Sequence, residues 1–302
     1  MRVVIIGGGL SGLAAAYELE QQRLPYTLIE VKARLGGGII SEQRDGFVLD
    51  GGPFVLDGAG DWSFLSELGL DDALMTLDAG RVAFKQGSGL LVDALARRLT
   101  GLLMKRMAVS SLGRLDDGRF SICLENGLML DATALIVAAP ARYAERMFRA
   151  LVPEIAGGLM DFRYDRLVRV SLGYRREAIT LPPDLPEAMC AFCHWIEAAP
   201  RVPPGHILVQ LGLRLDKAHF DPGEIVAHLR GATGWPEPLV QRVDHWPEAD
   251  PLTSPDDIAP LQSFLPDGVA LIGSDYGSPT IPERIAAGRA AARQMAAWVE
   301  NR

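Results

Sequence analysis

Four glycines near the amino terminus and one acid downstream have the types and spacing to do chemistry. Gly7-Gly8-Gly9-Leu10-Ser11-Gly12 contains the pattern G-x-G-x-x-G, and Glu30 follows at the end of an apolar run. The glycines of the pattern differ in steric role. Gly7 permits a tight turn, Gly9 lets a pyrophosphate approach the backbone, and Gly12 lets a helix pack closely on a strand. Leu10 and Ser11 complete the loop, where backbone N–H groups and the positive end of a helix dipole meet the phosphates. A carboxylate at position 30 accepts hydrogen bonds from an adenosine ribose and repels a 2′-phosphate. This much points to a dinucleotide and leaves FAD and NAD equal.

The elements that must hold these residues can be read on either side of them. Residues 2–6 form a β-branched run that reads as a buried parallel strand, residues 13–22 an alanine-rich helix, and residues 26–30 a second strand. Residues 269–275 read as a strand ending in a small residue and an acid. A helix follows from Ile281-Pro282, with proline in the first turn, where its missing amide costs nothing. That helix start is a second positive end aimed at the same site. Between the termini, residues 62–78 read as a helix and its exit, 81–85 as a strand and 89–99 as an amphipathic helix. Runs at 107–110, 112–115, 119–125 and 128–131, with Asn126-Gly127 as a hairpin signal, read as strands, and 134–140 as another buried parallel strand. Residues 151–250 carry more proline and tryptophan, with short strands at 168–174 and 207–213, and read as an inserted substrate-facing region.

Two further segments separate FAD from NAD. Arg34-Leu35-Gly36-Gly37 trails Glu30, and Phe47-Val48-Leu49-Asp50-Gly51-Gly52-Pro53-Phe54 comes next. Together with the first glycines they resemble the flavin-containing amine oxidase and protoporphyrinogen oxidase superfamily, in which R-x-G-G follows the ribose-binding acid and F-x-x-D-x-G-P follows that. The resemblance implies an α/β fold: a Rossmann-like FAD-binding domain of the two-dinucleotide-binding-domain type with a smaller α+β substrate subdomain. It places the first at 1–80, 106–150 and 252–302, and the second at 81–105 and 151–251. It implies non-covalent FAD, with Gly36, Gly37, Gly52, Pro53 and Phe54 near the flavin, Arg34 near the pyrophosphate and backbone at Val109 against the adenine. Gly273 and Asp275 match, with one residue inserted, the family's G-D pair for the phosphate and ribityl chain. Ile281-Pro282-Glu283-Arg284-Ile285 and Gly288 are similar to the protoporphyrinogen oxidase branch, and His245-Trp246-Pro247 resembles an aromatic strand end. Gly38 departs from the family, which has Arg or Lys there. The compact length is similar to renalase-like flavoproteins.

Composition narrows the partners. The 302 residues carry 30 basic and 38 acidic side chains, a formal charge of −8, and are 48% hydrophobic. Disorder is excluded, and so is a protein that neutralises nucleic-acid phosphates, which would need a basic stripe. A small-molecule substrate is expected. No run of about 18 uncharged apolar residues predicts a membrane-spanning helix, while peripheral membrane contact stays open. Residues 2–16 imitate a signal peptide, but the glycine pattern claims the same residues. Three cysteines suit a reducing cytoplasm. Cys190-Ala191-Phe192-Cys193-His194 matches a c-type haem attachment sequence and is read as buried or incidental. His194, His206, His219, His228 and His245 show no metal spacing, so no metal is expected. None of Lys32, Lys85, Lys105 and Lys217 sits where the family carries its flavin-proximal lysine, so no catalytic residue is assigned. The expected activity is that of an FAD-dependent oxidoreductase moving a hydride from a small or flat reduced organic substrate (porphyrinogen-, amine- or dihydronicotinamide-like) to flavin N5, with reoxidation by oxygen or another acceptor. The alternative is a flavin-binding carrier or assembly protein without turnover.

Overall fold

A computed structural model describes residues 2–78, 80–214, 221–248 and 250–301; Lys217 and His219 lie outside the described residues. The chain opens with β1 (Val3–Ile6), α1 (Leu10–Gln21), β2 (Tyr26–Glu30), β3 (Ser41–Arg44), β4 (Phe47–Asp50), β5 (Leu56–Asp57), α2 (Phe64–Glu67), β6 (Leu74–Thr76) and β7 (Arg81–Phe84). It continues through α3 (Gly89–Ala96), β8 (Leu102–Lys105), β9 (Val109–Arg114), β10 (Phe120–Leu124), β11 (Met129–Ala132), β12 (Ala134–Val137), α4 (Ala141–Phe148) and α5 (Pro153–Met160). The last part holds β13 (Leu167–Arg175), β14 (Cys190–Ile196), β15 (His206–Arg214), α6 (Pro222–Thr233), β16 (Val240–His245), α7 (Pro255–Ile258), β17 (Val269–Leu271) and α8 (Ile281–Glu300).

Residues 1–37, 91–164 and 251–302 make one compact unit. Its centre is a parallel sheet in the order β17-β12-β1-β2-β8. Every residue of β1, β2 and β12 is buried, as expected for parallel strands covered on both faces. α1 and α8 pack together, and a Cβ at Gly288 would lie 2.3 Å from the Ser11 carbonyl oxygen, so only glycine allows the two helices this close. Glu18 on α1 pairs with Arg289 at 2.7 Å and Arg293 at 3.1 Å on α8. The antiparallel meander β11-β10-β9 shares an apolar core with α4 and α5 through Val109, Ile122, Phe148 and Ile155. This is the Rossmann-like α/β arrangement expected from the sequence.

Residues 38–90 and 165–250 make the second unit. An antiparallel sheet in the order β14-β15-β13-β16 buries one face against α6, where Val170, Leu172, Ile207, Val209 and Leu211 meet Ile225 and Leu229. The pair β3-β4 and the three-stranded sheet β5-β7-β6 belong to it as well. No helix among the described residues is long and apolar enough to cross a membrane.

Several sequence expectations differ from these elements. Residues 107–115 hold one strand, β9, not two runs, and 62–78 hold only the short α2 and then β6. The unit boundaries also differ from the expected 1–80 and 81–105. Residues 38–80 fall in the second unit because Phe47, Leu49 and Phe54 share a core with Ile196, Leu208 and Val240. Residues 91–105 fall in the first because β8 pairs with β2 as an edge strand of the parallel sheet.

Candidate functional site

The glycine loop joins β1 to α1, and its backbone is packed so tightly that two of its residues must lack a side chain. Gly7 has φ +106°, and a Cβ there would lie 2.5 Å from the Ala138 carbonyl oxygen. At Gly12 a Cβ would lie 1.9 Å from the Gly7 oxygen, an impossible contact with backbone. Gly9 is the contrast, since a Cβ there would meet nothing within 4 Å. The fold therefore does not demand glycine at position 9, and the open space fits a ligand's phosphates. Leu10 and Ser11 open α1, whose first turn has no side-chain cap and no acidic residue. Its dipole is left to attract an anion.

Glu30, at the end of β2, sits beside this loop and is only 6% exposed. One carboxylate oxygen accepts from Gly8 N at 2.7 Å and the other from Lys32 N at 2.7 Å. Each oxygen has a further lone pair with which to take a ribose hydroxyl. The segment Arg34–Gly37 folds back over the loop: Gly36 N donates to Gly8 O at 2.7 Å, and a Cβ on Gly37 would lie 3.4 Å from the Gly9 Cα. Arg34 secures that fold by donating to Gly37 O at 2.6 Å and Leu35 O at 3.2 Å. The chain leading to Val109 is tied to the same strand end, with Met107 N donating to Glu30 O at 3.0 Å. Val109 itself is buried in the core of this unit.

Gly273, with φ +140°, follows β17 and turns the chain into a short 3-10 turn, Ser274–Tyr276. Asp275 is 3% exposed and its carboxylate points into the unit: it accepts from Ala141 N at 2.8 Å, from Ser274 Oγ at 3.0 Å and from the Tyr164 hydroxyl. Burial pushes its carboxyl above the usual carboxylate range, against the pull of Tyr164, Ala141, Ser274 and Arg284. The side chain that the resemblance assigns to the ribityl chain is thus engaged in holding the start of α4. At α8, Thr280 and Glu283 form a reciprocal capping box ahead of Ile281 and Pro282. Its positive end is therefore partly offset by the chain's own Glu283.

In the second unit the segment Asp50–Phe54 is fastened by side chains from far along the sequence. Asp50, 1% exposed, pairs with Arg201, 0% exposed, at 2.8 Å. Arg201 also donates to Val48 O and Phe84 O, each at 2.9 Å, and its guanidinium lies 5.4 Å from the centre of the Phe54 ring. Ser41 and Ser88 donate to the other Asp50 oxygen. Gln210 donates to Gly52 O at 3.0 Å, and the Trp246 indole donates to Gly51 O at 2.9 Å. Phe54 fills the core of this unit, so Gly52 and Pro53 are the parts of the motif with backbone to offer. Arg201 and Gln210 were not found from the sequence. The available signal was Asp50 itself, an ionisable residue closing an apolar strand, which demands a buried partner.

The structure thus brings Gly7, Gly9, Leu10, Ser11, Gly12, Glu30, Arg34, Gly36 and Gly37 together in the first unit, with Gly273 and Asp275 at the end of a strand of the same sheet. Gly52, Pro53 and Phe54 belong to the second. Lys85 is paired with Asp72. Cys190 and Cys193 pack against the apolar face of the antiparallel sheet, and burial pushes Cys193 up to about 12, so neither is a ready nucleophile.

The comparisons agree with this geometry. Residues 5–68 match the NAD(P)-binding Rossmann-like domain, and residues 59–296 match the flavin containing amine oxidoreductase family. Coproporphyrinogen III oxidase of Propionibacterium freudenreichii subsp. freudenreichii is 33% identical over 81 residues, covering 26% of this chain and 15% of that protein. The enzyme of the same name from Bacillus subtilis (strain 168) is 46% identical over 57 residues, covering 17% and 12%. The similarity to these curated relatives therefore spans a small part of their length. A candidate protoporphyrinogen oxidase from Exiguobacterium sp. 255-15 has the same fold, with a TM-score of 0.80 over 99% of both chains at 14% identity. With most of its length fitted by one family model, this chain belongs to the flavin-containing amine oxidoreductases, whose cofactor is FAD.

Proposed function

We propose that the protein is an FAD-dependent oxidoreductase acting on a reduced organic substrate, with porphyrinogens the first class to test, ahead of amines and dihydronicotinamides. The observation that carries this reading is the open space at Gly9, beside a buried Glu30 and an uncapped helix start. The names of the aligned relatives put porphyrinogens first.

The residues present fit FAD. Gly9 leaves room for its pyrophosphate, Leu10 and Ser11 supply helix-start amides, and Gly7 and Gly12 keep the turn tight enough to present them. Glu30 takes the ribose hydroxyls, and Arg34 holds Gly36 and Gly37 over the loop. Backbone near Val109 would contact the adenine, and Gly273 and Ile281 would serve the remainder of the cofactor. Asp275 acts by holding Ala141 at the start of α4. The chemistry FAD supplies when bound is two-electron acceptance, a hydride from the substrate with the electrons later returned to oxygen or another acceptor. The protein's part is to orient the partners and exclude water.

Anaerobic mixing of the FAD-loaded protein with porphyrinogen, amine and dihydronicotinamide panels tests this. Bleaching of the flavin by porphyrinogens is expected. Bleaching by another panel alone reassigns the substrate, and failure of all three leaves a flavin-binding carrier.

A further inference from the structure

The sheet β14-β15-β13-β16 has two margins, and they are built differently. At one, β16 carries Arg242 and Asp244 within the strand, and its Gln241 carbonyl accepts from Arg44 at 3.1 Å. Charges and a covering side chain are the usual means of keeping an edge strand from pairing with another chain. At the other, β14 reads Cys190-Ala191-Phe192-Cys193-His194-Trp195-Ile196 and holds no Lys, Arg, Asp, Glu or Pro. Trp195 is 42% exposed. Among the described residues no strand lies on the outer side of β14.

The ladder fixes which backbone groups of β14 face outward. Arg214 N, on β15, donates at 2.8 Å to Met189 O, just before β14. In an antiparallel ladder alternate residues turn their N–H and C=O toward the same neighbour. Gly212, Gln210 and Leu208 of β15 therefore bond to β14, through their partners Phe192, His194 and Ile196. The N–H and C=O groups of Cys193 and Trp195 are left pointing away from the sheet. A register shift between Cys190 and Phe192 confines the regular stretch to residues 192–196.

We propose that residues 192–196 are an interface with a second copy of this chain, the two strands pairing antiparallel about a two-fold axis at His194. In this register Cys193 stands opposite Trp195 of the second copy, and the reverse, so every outward N–H and C=O of the stretch is bonded. A two-fold at Cys193 would draw in the irregular Ala191, and one at Trp195 would draw in Glu197, beyond the strand end. Trp195 is covered by the second copy, which a lone chain leaves in water. Antiparallel pairing also brings ends of unlike charge together: Glu197, 44% exposed, follows one end of β14, and Arg214, 47% exposed, stands by the other. A parallel partner of the same sequence would set like ends side by side. Two copies that each carry a charge of −8 meet with least repulsion along a margin free of acids. The contact is isologous and short, so it makes a weak, concentration-dependent dimer.

Sedimentation velocity and amide hydrogen exchange on the FAD-loaded full chain, from micromolar to submillimolar concentration, test this. A dimer is expected to form across that range, and with it the amides of Cys193 and Trp195 are expected to slow at least ten-fold. Trp195→Lys, at an exposed position, should raise the dimer Kd at least ten-fold and leave the melting temperature unchanged. Leu239→Lys, equally exposed but next to β16, should leave the dimer as it was. A monomer at every concentration overturns the proposal. So does a dimer in which the Cys193 and Trp195 amides exchange as fast as in the monomer, a result that needs no variant. A Trp195→Lys dimer of unaltered strength overturns it as well.

Discussion

In the first unit the central strands β1 and β12 are wholly apolar, and the residues proposed to meet the cofactor are glycines, amide groups and the Glu30 carboxylate at the strand ends. In the second unit the end of β4 and the middle of β15 bury Asp50 and Gln210, and Arg201 and Arg169 are themselves buried. The first unit therefore makes its site from the path of the backbone, the second from side chains that must find one another. Backbone shape is intolerant of added atoms, whereas a side-chain network is intolerant of lost ones.

That contrast can be broken at several points. Arg201→Met strands Asp50 as an uncompensated buried charge and is expected to cost about 4 kcal/mol in urea unfolding, the range for removing one partner of a buried pair. A loss below about 1 kcal/mol would mean that the second unit does not depend on this network. In the first unit Gly12→Ala drives a methyl into the Gly7 carbonyl and should destabilise by about 3 kcal/mol. Gly9→Val, by contrast, is expected to leave the melting temperature of the cofactor-free protein unchanged while abolishing flavin retention. A yellow Gly9→Val protein would sink the pyrophosphate assignment.

Glu30→Ala should weaken FAD binding by about 2 kcal/mol through lost hydrogen bonds to a charged group, measured by flavin fluorescence. Unchanged occupancy would remove Glu30 from the ribose. The smallest effect belongs to Glu18. Burial works against its charge, but hydrogen bonds from Arg289, Gln22 and Arg293 outweigh that and hold its carboxyl below the usual range. Its contribution to stability is thus complete above pH 4.5, the ordinary value, and is lost as pH falls through the depressed one. Glu18→Gln is expected to flatten the acid limb of stability by about 1 kcal/mol, little because Arg293 is half exposed and solvent screens it. An acid limb identical in both proteins would show that the α1–α8 pairing contributes nothing.

The same contrast explains what could be read in advance. The turn from β1 to α1, the acid closing β2 and the start of α8 were all legible, because each depends on residues a few positions apart. The expected split of 107–115 into two strands failed because β9 continues through its middle, pairing with β10 on both sides of an irregularity at Ser110. Residues 38–80 pack in a different compact unit from residues 1–37, which could not be read in advance because their apolar side chains carry no mark of which core they will enter. Asp275 was recognised as a motif residue, yet its carboxylate is turned inward by Tyr164, which lies far away in sequence.

The amino-acid sequence by itself determined the nucleotide loop and its family, since sterically required glycines and an acid at fixed spacing leave few alternatives over thirty residues. Only the tertiary structure decided that Arg201 neutralises Asp50, that Gln210 and Trp246 fasten Gly52 and Gly51, and that Arg169 and Gln210 share a polar sheet face with unpartnered atoms. The physical reason is that a buried charge or amide is satisfied across strand registers set by the whole core, and no local pattern of residues specifies which distant strand will lie alongside.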